Sequence, residues 1–149
     1  MKLLVLVAII ATLLYTSSHA HAASNVDTLL RRVAAQNGLP ANLVMAIAWH
    51  ESGWKQTAVG RSGEIGIMQI LPSTARGINA RSGTVYNVYS AEGNVALGAR
   101  YLRSLKSLFQ GNLTKTISAY NQGEGAVAHY GIKNWRYVNN IYSLMTRFK

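Results

Sequence analysis

Glu51 is one of five acidic residues in a chain of 149, and its neighbours are unusual for a carboxylate. It closes the apolar run Leu43-Val44-Met45-Ala46-Ile47-Ala48-Trp49-His50, and Ser52-Gly53-Trp54 follow at once. An acid at the end of a greasy segment, with a tryptophan on either side, is poorly solvated. Desolvation favours the neutral form, raises the pKa and leaves a carboxylic acid able to donate a proton near neutral pH. A plainer reading, a helix-end carboxylate that reaches solvent, fits the same residues. Asp27, Glu64, Glu92 and Glu124 lack a comparable apolar setting. The chain has no cysteine, which excludes thiol chemistry and disulfides. His50 and His129 have no partner at metal-ligand spacing, so neither a metal nor a cofactor is expected.

The elements that must hold Glu51 read as helices. Val26, Leu29, Leu30, Val33 and Ala34 recur at helical spacing, and Gly38 followed by Pro40 stops that helix. Pro40 and the run from Ala41 to Glu51 predict a second helix, apolar on most sides and therefore central. Four glycines between Gly53 and Gly66, without periodicity, predict a loop or short irregular hairpin. Pro72 ends the following apolar segment and opens a short helix over Ser73-Thr74-Ala75-Arg76, after which residues 77–89 read as a weakly structured surface excursion. A long helix is expected from about Ala91 to Phe109. Its face carries Val95, Gly98, Ala99, Leu102 and Leu105, and its glycines Gly93 and Gly98 suggest close packing. A short helix over Thr114 to Tyr120, a break at Asn121-Gln122-Gly123, and a last helix from Trp135 to about Phe148 complete a mainly α single domain.

Residues 1–22 read as a secretory signal peptide. Lys2 forms the basic end, the stretch from Leu3 to Leu14 is apolar except for Thr12, and Ala20-His21-Ala22 is the cleavage site. That stretch is too short to cross the roughly 30 Å of a bilayer's hydrocarbon as a helix. The expectation is a domain over residues 23–149, periplasmic or secreted, without a stable membrane span. The chain is strongly basic, with 15 Lys and Arg against 5 Asp and Glu and a net charge of +10. Such a surface favours polyanions, but the basic residues are scattered along the chain, so nucleic acid is not the expected partner.

Three strings stand where the chain leaves a helix: Glu51-Ser52-Gly53-Trp54, Gly66-Ile67-Met68-Gln69-Ile70 and Ala119-Tyr120-Asn121-Gln122-Gly123. Together, in this order and spacing, they resemble the catalytic domain of lytic transglycosylases of the lysozyme-like superfamily. Pro72, Asn94-Val95 and Gly98-Ala99-Arg100-Tyr101-Leu102 extend the likeness over most of residues 39–142. The resemblance implies a two-lobed, lysozyme-like helical domain with a substrate groove. It also implies a single catalytic acid, Glu51, acting on peptidoglycan glycan strands. That acid protonates the bond between N-acetylmuramic acid and N-acetylglucosamine while the substrate's own N-acetyl group assists. It then takes the proton from the muramyl C6 hydroxyl as a 1,6-anhydro bond forms.

By the same resemblance Met68 and Gln69 line the groove, with Gln69 donating to an N-acetyl sugar, and Tyr120 bonds the acid or the acetamido group. Gly66 permits close backbone approach to the ligand. On residue type alone, Met68 is as readily core filler, Tyr120 a core aromatic, and Asn121 a residue that fixes the turn. Ser52 braces the loop after Glu51, and Trp54 covers the Glu51 pocket. Two positions depart from the family pattern: Gly60 stands where many members carry serine, and Glu64 where a small residue is common. Glu64 either serves as a base for water or sits in solvent, so a hydrolytic muramidase is the first alternative and a non-catalytic wall-binding assembly protein the second. Likeness to small specialised members suggests local wall opening for a secretion, conjugation or pilus apparatus.

Overall fold

The computed structural model describes residues 25–149; the expected signal peptide lies outside the described residues. Helix α1 covers residues 25–36 and buries Leu29, Leu30, Val33 and Ala34 on one stripe. Gly38 at φ 63° turns the chain out of it. Helix α2, Ala41–Ser52, buries every residue from Leu43 to Ala48. A helix hidden on all sides over such a stretch is the centre of its domain. It ends at Gly53 in the left-handed region, whose N–H satisfies the Trp49 carbonyl at 2.9 Å.

Residues 53–71 run without helix and are tied by two isolated antiparallel bridges, Val59 with Ile65 and Ile65 with Ile70. Among the described residues no longer strand forms. Helix α3, Pro72–Ser82, is longer than the short turn the sequence suggests, and it takes residues 77–82 out of the expected surface excursion. Ala75 and Ile78, one turn apart, anchor it in the core. The Asn79 side chain then holds the excursion itself by donating to the Tyr86 carbonyl and accepting from the Tyr86 N–H, both at 3.0 Å.

Helix α4, Ala91–Leu108, starts on a Ser90 cap that accepts from the Gly93 N–H. Its Gly98 lies directly against Met68, where an added Cβ would come within 2.6 Å of the methionine Cβ. Helix α5, Leu113–Gln122, is capped by Asn112 and keeps Asn121 and Gln122 helical; the break falls at Gly123, at φ 90°. Helix α6, Glu124–Tyr130, follows immediately. It left little mark in the sequence because it buries only Val127. Helix α7, Trp135–Met145, packs along α2 through Val138 and Ile141. The architecture is mainly α, as expected, and no helix among the described residues is long and apolar enough to cross a membrane.

Asn94 ties this frame together. It is fully buried, accepts from the Met68 N–H at 2.8 Å, and donates to the carbonyls of Ile65 (2.7 Å) and Val88 (3.0 Å). Removing it strands buried backbone groups that each cost about 1–3 kcal/mol when unpaired. Asn94→Ala is therefore expected to lower unfolding free energy by about 3 kcal/mol, read as a fall in the urea midpoint at unchanged slope. A loss below about 0.5 kcal/mol would show that the loop is held by other contacts.

Candidate active site

Glu51 lies in the last turn of α2 and faces a cleft of about 450 Å³. The wall opposite comes from the 64–71 segment, the start of α3 at Thr74, Tyr101 of α4, and the end of α5 with Gly123. Burial raises the Glu51 pKa above the ordinary carboxylate value; a hydrogen bond from Tyr137 opposes that rise, and the charge of Glu64 adds to it. The helix end contributes in the same sense as burial, because unpaired carbonyls concentrate partial negative charge there. Among the described residues, no lysine or arginine lines the cleft. Glu51 thus has no cation beside it to pull its proton off.

The Tyr137 hydroxyl donates to Glu51 Oε1 at 2.7 Å. Tyr137 is 7% exposed, and burial together with the neighbouring carboxylate pushes its pKa well up, so it stays a donor. The sequence reading missed it, although one signal was present. Tyr137 stands next to Val138 and one turn before Ile141 on the buried stripe of α7, and a phenol there must find a polar partner. The His50 ring meets the Tyr137 ring edge-on at 4.8 Å between centroids, and burial lowers its pKa.

The expected substrate-contact residues divide into two groups. Gln69, Tyr120 and Asn121 line the cleft. Gln69 has a left-handed backbone, φ 46°, and its amide nitrogen donates to the Ala58 and Gly66 carbonyls at 3.3 and 3.0 Å. Both bonds use its NH2 group, and its Oε1 lies toward Gly60, 2.7 Å from where a Cβ there would stand. Tyr120 donates to the Met68 carbonyl at 2.8 Å, so Tyr137 and not Tyr120 bonds the acid. Asn121 remains helical, and its side-chain oxygen accepts from Asn134 at 2.9 Å.

Met68 and Gly66 do not line the cleft. Met68 is 0% exposed, wedged against Gly98, and it shapes the site through its carbonyl. Gly66, at φ 76°, gives close approach to Gln56 and Asn94 side chains, an internal contact. Ser52 donates to the Ile67 carbonyl at 2.9 Å and accepts from the Lys55 N–H, bracing both ends of the loop. Trp54 is not in the cleft wall. It donates to the Met45 carbonyl and packs with Trp49 and Phe148, so it steadies the end of α2 without covering the acid. Glu64, by contrast, does line the cleft, as does Tyr101, whose hydroxyl donates to Glu124 at 2.6 Å.

Comparisons with known proteins agree with this geometry. A family model described as the transglycosylase SLT domain matches residues 28–139. Peptidoglycan transglycosylase gp16 of Escherichia phage T7 is 32% identical over 108 residues, covering 71% of this chain and 8% of that protein. Membrane-bound lytic murein transglycosylase C of Haemophilus influenzae is 30% identical over 142 residues, 79% of this chain and 39% of that protein. The chain thus spans well under half the length of these curated relatives. Among solved structures, an inactive glutamate-to-glutamine mutant of the lytic transglycosylase Slt from Pseudomonas aeruginosa superposes with a TM-score of 0.75 at 26% identity, covering 81% of this chain and 23% of that one. The 70 kDa soluble lytic transglycosylase of Escherichia coli gives the same TM-score at 24% identity, with the same coverage, and shares the fold. On the extent of the family match and the shared lysozyme-like fold, the chain belongs to the transglycosylase SLT domain family.

Proposed function

We propose that the protein is a peptidoglycan lytic transglycosylase. It cleaves the β-1,4 bond between N-acetylmuramic acid and N-acetylglucosamine and leaves a 1,6-anhydromuramic end. The observation that carries this reading is a single desolvated carboxyl, Glu51, opening onto a polar cleft with a phenol hydroxyl 2.7 Å away. Family membership and relatives that are themselves named transglycosylases support it. The finer assignments are a periplasmic or secreted location after removal of residues 1–22, and local wall opening during assembly of a secretion, conjugation or pilus apparatus. They rest on the leader-like sequence and on the likeness to small members of the family.

The reaction needs one group to act twice. Protonated Glu51 gives its proton to the glycosidic oxygen as the C1–O bond breaks and the N-acetyl oxygen closes on C1. The resulting carboxylate is stabilised by the Tyr137 O–H. It then removes the proton of the muramyl C6 hydroxyl while O6 displaces the acetamido oxygen from C1, which restores protonated Glu51. Burial keeps Glu51 protonated for the first half-reaction and strengthens it as the base of the second, while the Tyr137 hydrogen bond stabilises the carboxylate between them. Gln69 and Asn121 offer polar atoms to the bound sugars.

Glu51→Gln is expected to lower lysis of purified sacculi by at least about 100-fold while sacculus binding persists. Wild-type products analysed by mass spectrometry should end in anhydromuramic acid; reducing ends would instead mark a hydrolytic muramidase, a reading that Glu64 in the cleft keeps in play. Tyr137→Phe should cost roughly tenfold in kcat, the worth of one hydrogen bond to a charged group. Because that bond favours the ionised form, its loss moves the alkaline limb of the pH–rate profile upward. An unmoved limb would separate Tyr137 from the titration of Glu51.

A third test needs no turnover. Native Glu51 keeps a proton that the unfolded chain has already released, so wild-type stability falls as pH rises from the ordinary carboxylate value through the raised one. Glu51→Gln lacks that loss, and its urea midpoint should gain on wild type with pH across that window. A difference that stays flat with pH would mean an acid in open water.

A further inference from the structure

Glu64 is the second carboxylate of the cleft, and the fold contains a space for it. Gly60 is not among the glycines with positive φ, so its backbone does not demand glycine. What glycine supplies at position 60 is room: a Cβ there would collide with Glu64 Oε2 and stand 2.7 Å from Gln69 Oε1. The surrounding turn fixes the carboxylate. The Ser62 N–H donates to Glu64 Oε2 at 3.0 Å, the Gly60 N–H donates to the Glu64 carbonyl at 2.8 Å, and the Gly63 N–H donates to the Gly60 carbonyl at 3.1 Å. Gly60 and Glu64 are also the two positions noted above as departures from the pattern the chain resembles. The fold joins those departures, because the side chain missing at one leaves the volume occupied by the other.

We propose that Glu64 is a positioning residue of this site: its carboxylate, seated in the space left by Gly60, is a fixed negative charge that holds the proton on Glu51 until a substrate oxygen takes it. The proposal rests on reading Glu51 as the general acid. Two carboxyls lining one cleft resist double ionisation. The remaining groups around Glu51 do not cancel the effect. Tyr137 of α7 and Tyr120 of α5 are phenols held protonated. Tyr101 of α4 is a phenol engaged with Glu124 of α6. His50, the neighbour on α2, is pushed toward its neutral form by burial. Burial remains the larger influence on Glu51, with Glu64 adding to it.

The chain has four glutamates, Glu51, Glu64, Glu92 and Glu124, so each side-chain carboxyl can be followed by carbon-13 NMR in the whole protein. Relative to wild type, the Glu51 titration midpoint should fall in Glu64→Gln. It should also fall in Gly60→Ala, whose new methyl displaces the Glu64 carboxylate, and the double variant should fall no further than Glu64→Gln alone. A Glu51 midpoint unchanged in Glu64→Gln overturns the proposal, whether or not the protein cleaves the wall. On sacculi, Glu64→Gln should lose about threefold more activity on the alkaline side of the optimum than on the acid side, with anhydromuramic products throughout. Reducing ends made by wild type and abolished in Glu64→Gln would make Glu64 a base for water and also overturn the proposal. A wild type that makes no cut refutes the enzymatic reading alone, and the NMR midpoints still decide the role of Glu64.

Discussion

One constraint organises this site: an acid must be dry enough to keep its proton and still face an open cleft. The end of α2 meets that constraint because a fully buried helix can deliver a side chain to the domain interior while its last turn breaks the surface. The core and Tyr137 close Glu51 off from behind, and its open side is the cleft. A solvated glutamate in the same place would be ionised at neutral pH and useless as a donor. Desolvation is therefore the dominant influence, and the Tyr137 hydrogen bond limits how far it goes. Without that opposing bond, the carboxyl would hold its proton more tightly and part with it less readily.

The 53–71 segment shows how a loop is made rigid enough to form half of such a site. Its fixed points are side chains reaching in from helices: Ser52 from α2, Asn94 from α4 and Tyr120 from α5, bonded to Ile67, to Met68 and Ile65, and to Met68. Each anchor uses main-chain groups of the loop, so the loop's own side chains are released for other tasks. Gln69 uses its freedom to bridge two carbonyls across a left-handed turn. Met68 does the reverse and disappears into the core against Gly98.

That division explains what could be read from residue order alone. Helices α1 and α4, with an apolar stripe, and α2, apolar on most sides, were legible from residue order. Helix α6 was not, because seven residues with one buried valine carry no period. Motif residues could be found but not assigned to a face. Met68 and Gln69 are adjacent in sequence and end on opposite sides of the cleft wall, one inward and one outward, a sorting decided by the positive φ at Gln69. Tyr137 was hidden for a different reason: its contact with Glu51 spans 86 positions, and no local pattern encodes a partner so distant.

The charge distribution adds a last step. A chain with net charge +10 has an average field that favours ionised carboxylates and would pull the Glu51 proton away. Two features defeat that pull. Distant surface charges are screened within about 8–10 Å at moderate salt, so scattered lysines and arginines contribute little at the acid. Among the described residues, those that line the cleft include no lysine or arginine, and the charged ones are Glu51 and Glu64. The local sign is therefore opposite to the global one. The basic exterior favours association with polyanions, while the acidic cleft favours the protonated form of Glu51. Raising ionic strength should weaken only the first of these, because the interactions inside the cleft are short and partly shielded from salt.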